Sequence, residues 1–212
     1  MWLQSKNKNM KKFILFTILI ISISSFSQND VSSDITRDEN RNKGYFNITR
    51  LSYITMSSLK QELFIEGEGN FFSDIDTGGA HAWSLQTING YFISPHFSLG
   101  VGIGLDGHHD PNFNTFPVFL DARAYSADEA DTFYTYLNIG PTIKFGGNNS
   151  KFRKGVLFNI GLGYKFKVQN RLFLVSDIFY SHKTVSLTNE GIGTSDNVII
   201  ANGVGISLGL IF

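Results

Sequence analysis

Read in twos from its end, the last stretch of the chain, "NGVGISLGLIF", sorts into two faces. Phe212, Leu210, Leu208, Ile206 and Val204 fall on one side; Ile211, Gly209, Ser207, Gly205 and Gly203 fall on the other. A period of two is the signature of a strand, and only a sheet can display it. The same pattern recurs upstream. In "FSLGVGIGLD" the residues Phe97, Leu99, Val101, Ile103 and Leu105 oppose Ser98, Gly100, Gly102, Gly104 and Asp106. In "VLFNIGLGYKFKV" a row from Val156 to Val168 opposes Leu157, Asn159, Gly161, Gly163, Lys165 and Lys167. Phe116, Val118, Leu120, Ala122 and Ala124 oppose a face holding Asp121 and Arg123, and Phe133, Leu137, Ile139, Ile143 and Phe145 oppose Tyr134, Tyr136, Asn138 and Lys144.

Eight such runs are legible, over about 44–56, 82–93, 97–106, 115–126, 132–145, 155–168, 171–183 and 197–212. The first two do not resolve into one oily face, as a β-bulge or bounds placed one residue off would cause. The runs are long beside the five or six residues usual in soluble sheets. Their oily face is nearly free of charge, while the other face mixes glycine with Lys, Asp, Arg and Asn. A soluble barrel inverts this, with its oily face inside. Connections alternate too: long at 57–81, 107–114, 146–154 and 184–196, short at 94–96, 127–131 and 169–170. Long on one side and short on the other is the layout of an outer-membrane barrel. Aromatic residues fall near both ends of the runs, with Phe92, Phe97, Phe133, Phe166, Phe173 and Phe212 on the short-turn side and Phe116, Phe145 and Tyr180 on the other, as two interfacial belts would.

Composition removes several alternatives. Eighteen basic and eighteen acidic residues cancel, so no global field attracts nucleic acid. Cysteine is absent, which excludes disulfides, thiolate metal sites and cysteine nucleophiles. Met10-Lys11-Lys12, the apolar run Phe13 to Ile23 and the small residues Ser25 and Ser27 have the order of a secretory signal, with a mature N-terminus expected at Gln28. Eleven residues span about 16 Å as a helix, too little for a hydrocarbon core of about 30 Å. The expected organisation is an extension and signal over 1–27, a flexible leader over 28–43 and a barrel over 44–212.

The chain resembles the small eight-stranded outer-membrane β-barrels of the OmpX and OmpA-membrane-domain type. Leu208, Leu210 and Phe212 match that family's C-terminal assembly signal of alternate hydrophobics ending in an aromatic, with Ser207 where glycine is common. The resemblance implies an all-β, eight-stranded antiparallel transmembrane up-and-down barrel in the bacterial outer membrane. Its expected partners are membrane lipids and lipopolysaccharide, the assembly machinery acting on the last strand, and an extracellular partner at the loops. No counterpart of the periplasmic domain of OmpA-type proteins is expected after Phe212.

No catalytic, cofactor or metal residue is assigned from the sequence. "DGHHDPN" (Asp106 to Asn112) sets two adjacent histidines between carboxylates, with Asp76 and His81 in the preceding loop; imidazole and carboxylate suit zinc or nickel, yet neighbouring residues of an extended segment point apart, which favours a solvated loop. The acidic stretch Glu66 to Asp76 lacks the spacing of a calcium loop. "KFRK" (Lys151 to Lys154) suits lipopolysaccharide phosphates. Eight-stranded barrels also include lipid A deacylases and palmitoyl transferases, but Ser181 and His182 are adjacent and oppositely directed, and His182 and Ser186 are four apart, so neither forms the deacylase pair. Asp121, Arg123, Lys144, Lys165, Lys167 and Asp177 are the expected interior charges, forming a paired plug. The expected function is therefore structural or surface-interactive and non-catalytic, with a narrow channel and a lipid-modifying enzyme as alternatives. Leu162→Arg, on the outward face, should disrupt insertion, whereas Gly163→Ser, facing inward, should be mild.

Overall fold

In a computed structural model, the described residues are 42–65, 67–110, 112–146, 152–169, 171–187 and 194–212. The expected signal and nearly all of the expected leader lie outside them. Among the described residues there are nine strands: β1 (Gly44–Ile65), β2 (Gly69–Ile75), β3 (His81–Ser94), β4 (Phe97–His109), β5 (Phe113–Tyr125), β6 (Thr132–Lys144), β7 (Phe152–Gln169), β8 (Leu172–Leu187) and β9 (Thr194–Ile211). All neighbours are antiparallel, in the order β2-β1-β3-β4-β5-β6-β7-β8-β9, and β1 also pairs with β9. That last pairing closes eight strands into a barrel, and β2 rides outside the ring on β1.

The register fixes the geometry. The paired row that starts at Asn47 runs through Asn89, Val101, Leu120, Ile139, Phe158, His182 and Asn202 and returns to β1 at Ser58. A register shift between Met56 and Ser58 absorbs one residue of that stagger. Such a stagger tilts the strands by roughly 35–45° from the barrel axis and leaves an interior that side chains can fill. Closure pairs both edges of the eight ring strands, as hydrocarbon requires, where an unpaired N–H or C=O costs several kcal/mol.

Facing follows the sequence on six strands. Leu99, Val101, Ile103, Leu120, Leu137, Ile139, Ile160, Leu162, Ile178, Val204, Ile206, Leu208 and Leu210 all point outward. The first run differs from expectation in length and character. β1 continues past the bulge to Ile65, and β2 folds back on it, so the expected loop at 57–81 is largely a hairpin. Its turn is built on Gly67 and Gly69, whose φ angles of 89° and 97° suit glycine. The inner face of β1 mixes apolar Phe46, Ile48, Ile54 and Met56 with Arg50 and Ser52, and its outer face is partly polar. This explains why β1 and β3 failed to resolve. Their outward Tyr45, Asn47, Thr49, Thr87 and Asn89 bond to one another: Asn47 Nδ2 donates to Asn89 Oδ1 (2.8 Å) and Thr87 Oγ1 (3.2 Å), and Tyr45 donates to Asn89 Oδ1 (2.5 Å). Mutual pairing is what lets polar side chains sit on a lipid-facing wall.

The aromatic belts need one correction. Phe97, Phe133, Phe166 and Phe212 are exposed on the outer wall near the short turns, joined by Tyr45 and Tyr91. Phe92 and Phe173 instead pack against the interior core, because both lie on the inward parity of their strands.

Glycine shapes the interior by direct apposition. A Cβ at Gly90 would lie 2.3 Å from the Phe46 ring, at Gly102 2.3 Å from Phe119, at Gly161 2.5 Å from Tyr136, at Gly163 2.5 Å from Tyr134, and at Gly205 2.4 Å from Phe179. Each glycine is the cross-strand partner of the residue whose ring covers it. Missing side chains on one strand thus receive the large ones of the next.

Candidate functional site

Three polar layers fill the barrel between apolar ones. At mid-height Arg50, Gln86, Asp121, Arg123, Tyr134, Tyr136, Asn138 and Asp177 form one network, all of them buried. Arg50 donates from Nε and Nη2 to Gln86 Oε1 (2.9 and 2.7 Å) and from Nη2 to Asn138 Oδ1 (2.6 Å). Asp177 accepts from the hydroxyls of Tyr134 and Tyr136, each at 2.8 Å, and lies 3.9 Å from Arg50 Nη1. Arg123 and Asp121, two apart on one face of β5, make a two-pronged pair at 2.8 and 3.1 Å, and Asn138 Nδ2 donates to Asp121 Oδ2 (2.6 Å). The guanidiniums lie over rings as well, Arg50 at 4.6 Å from Tyr136 and Arg123 at 5.2 Å from Tyr134. Charge is matched and the space is occupied, the arrangement of a structural plug.

Towards the hairpin end Asp106 is the hub. Lys183 Nζ donates to its Oδ2 (2.5 Å) and Ser84 to its Oδ1 (2.5 Å), while His108 stacks on Phe113 at 4.0 Å. Phe113, Val185 and Ile199 cap this layer. Towards the short-turn end Lys165 Nζ donates to Asn42 Oδ1 and lies 4.7 Å from the Phe173 ring. Asn42 falls in the stretch expected to be a flexible leader; it is buried, and its amide donates to the carbonyls of Pro95 (2.9 Å) and Ala127 (3.4 Å).

Of the expected interior charges, Asp121, Arg123, Lys165 and Asp177 are buried, whereas Lys144 and Lys167 are partly exposed near strand ends. Sequence reasoning missed Arg50, Asp106 and Lys183. Arg50 was hidden in the unresolved first run. Asp106 and Lys183 obey the inward parity of Gly104 and Asp177 and are the last residues of the expected runs 97–106 and 171–183; the strands continue to His109 and Leu187, which sets both inside the barrel.

The histidine motif is also redrawn. Asp106 to His109 belongs to β4, so the expected solvated loop is strand up to Asp110. As expected, the two histidines point apart, His108 inward and His109 outward. His109 meets His81, its direct cross-strand partner, with ring centroids 5.0 Å apart. Ser181 is buried and His182 faces the other way, its Nδ1 2.7 Å from Asn202 Oδ1. Arg153 and Lys154 of "KFRK" are exposed; Lys151 and Glu66 lie outside the described residues. Among the described residues no group of three or more His, Cys, Asp or Glu side chains could hold a metal ion. No helix of the described residues is long and apolar enough to cross a membrane, which has no bearing on crossing by strands.

At the level of sequence no protein-family model matches and no curated protein matches. Structure is more informative. The outer membrane protein OprG from Pseudomonas aeruginosa superposes with a TM-score of 0.56 at 11% identity, covering 82% of this chain and 98% of that one. The chain has the fold of the small outer-membrane β-barrels. Neisserial surface protein A gives 0.44 at 12% identity, covering 78% and 98%, and the N-terminal β-barrel domain of Pseudomonas aeruginosa OprF gives 0.39 at 14%, covering 82% and 99%.

Proposed function

We propose that this small barrel sits in the bacterial outer membrane, reached through a signal cleaved before Gln28. It neither conducts nor catalyses, and it acts through the β1–β2 hairpin that it raises beyond the bilayer. The observation that carries the reading is that hairpin. β1 runs nine residues past Met56, and β2 pairs with it from Ile75 to Gly69. Phe72 is 66% exposed and Phe71 45%, and among the described residues β2 has a single strand neighbour, β1, so its far edge is available to a partner's strand. Large apolar side chains beyond the lipid-facing band are the mark of a contact surface.

The filled interior supports the absence of conduction. The outward row from Val204 to Phe212 supports recognition of β9 by the assembly machinery, and exposed Arg153 and Lys154 support contact with lipopolysaccharide phosphates. Chymotrypsin added to intact cells tests the orientation and role together. It should cut at Phe71 or Phe72 and leave the rest of the barrel protected, and purified protein in a planar bilayer should show no unitary current. Cleavage confined to the periplasmic side, or stepwise conductance, would overturn the proposal.

A further inference from the structure

His81 and His109 stand side by side on the outer wall at the hairpin end, one opening β3 and the other closing β4. The turn before β3 holds His81 in a defined state. Asp76 Oδ1 accepts from Gly78 N (2.9 Å), Ala80 N donates to Thr77 O (3.0 Å), and Gly79 takes a φ of 86° that a side chain would strain. This turn presents the Gly79 carbonyl to His81 Nδ1 at 2.7 Å. A carbonyl only accepts, so Nδ1 carries a proton, and in the neutral ring Nε2 is the nitrogen with the lone pair. Donation from one ring nitrogen to a backbone carbonyl is the support usually found behind a metal-bound imidazole. His109 is exposed, with its ring inclined 38° to that of His81, and its Nε2 lies 3.4 Å from Asp110 Oδ2.

We propose that His81 and His109 form a two-imidazole site for a divalent cation of the zinc, copper or nickel class. Imidazole nitrogen suits these ions, while calcium and magnesium require oxygen. Two strands hold the imidazoles in register, so little ordering remains for binding; a rotation of the exposed His109 ring brings its nitrogen to bear. The two imidazoles are the only side-chain ligands, and solvent oxygen completes the coordination; Asp110 lies beside His109 and adds negative charge near the ion. This inference rests on the barrel register and is independent of the role proposed for the hairpin.

The test uses the untagged full chain folded in detergent micelles, titrated calorimetrically with zinc chloride, and with copper chloride while tryptophan fluorescence is recorded. Trp83 shares the outward face with His81 and contacts it through Tyr53, at 4.9 Å from Trp83 and 5.6 Å from His81. His81→Asn keeps an amide nitrogen where Nδ1 donates to Gly79 but removes the ligand nitrogen. It and His109→Ala should each weaken zinc binding at least tenfold and abolish saturable quenching by copper. His96→Ala, at the opposite end of the barrel, should change neither. Wild-type binding equal to that of the His81→Asn/His109→Ala double variant would overturn the proposal, as would loss of binding in His96→Ala.

Discussion

Gly163→Ala puts the ring-over-glycine packing to a quantitative test. The new methyl carbon would lie 2.5 Å from Tyr134 Cζ, 2.6 Å from its hydroxyl oxygen and 2.7 Å from Asp177 Cβ. Neither neighbour is the loose end of a flexible chain. Tyr134 is tied to Asp177 Oδ2 at 2.8 Å with Arg123 over its ring, and Asp177 is also held by Tyr136. Overpacking of this kind costs about 1–3 kcal/mol. If Tyr134 swings away, a hydrogen bond to a buried carboxylate goes too, about 1.5–3 kcal/mol more. The expected destabilisation is therefore about 1–3 kcal/mol if the ring stays and up to about 6 kcal/mol if it swings away, a large share of a typical folding free energy of about 5–15 kcal/mol. Inward parity alone suggests that a small side chain would be tolerated at Gly163; the ring above it reverses that expectation. The assay is urea unfolding in phospholipid vesicles, followed by the heat-modifiable electrophoretic shift of the folded barrel. A double-mutant cycle with Tyr134→Ala isolates the cause, since the methyl should cost little once the ring is gone. A harmless Gly163→Ala, or one equally costly in the Tyr134→Ala background, would refute the packing argument.

Three further outcomes follow from the same geometry. Leu162→Arg places a charge on the lipid-facing wall and should cost about 2–4 kcal/mol near the midplane, read as loss of the membrane-inserted, protease-resistant form. Asp177→Ala strips Arg50 and two tyrosine hydroxyls of their shared acceptor and should cost about 3–5 kcal/mol in the same urea assay. Asn42→Ala leaves the Lys165 ammonium without its amide oxygen and frees the Pro95 and Ala127 carbonyls. It should cost about 1–3 kcal/mol and speed hydrogen exchange in the turns at 95–96 and 126–131 relative to β5.

Legibility differed sharply between wall and interior. A lipid-facing wall is governed by a one-residue rule, because any apolar side chain satisfies hydrocarbon and alternation alone reveals the face. Six strands were readable for that reason, down to the inward placement of Asp121, Arg123 and Asp177. The rule fails where polar groups satisfy each other across strands, as Asn47 and Asn89 do, because the pairing partner lies 42 positions away in sequence. It fails again at Ser57, where one bulged residue shifts the parity of everything up to Ile65. The hairpin had a readable sign in "EGEG", with alternating residues on either side, but its length fitted an ordinary long loop equally well.

The histidines show the limit most clearly. Adjacency in "HH" drew attention to His108 and His109, and strand geometry correctly separates them. What sequence could not supply was the register of β3 against β4, which pairs His109 with a residue 28 positions earlier and buries His108 beside Lys183 and Phe113. Two chemically identical neighbours thus receive opposite environments. One is buried in the barrel's polar interior, and the other becomes half of an exposed pair whose companion is held by a glycine carbonyl. In an antiparallel barrel, chemistry is assembled across strands, so the unit of function is the cross-strand pair, and register must be known before any motif can be read.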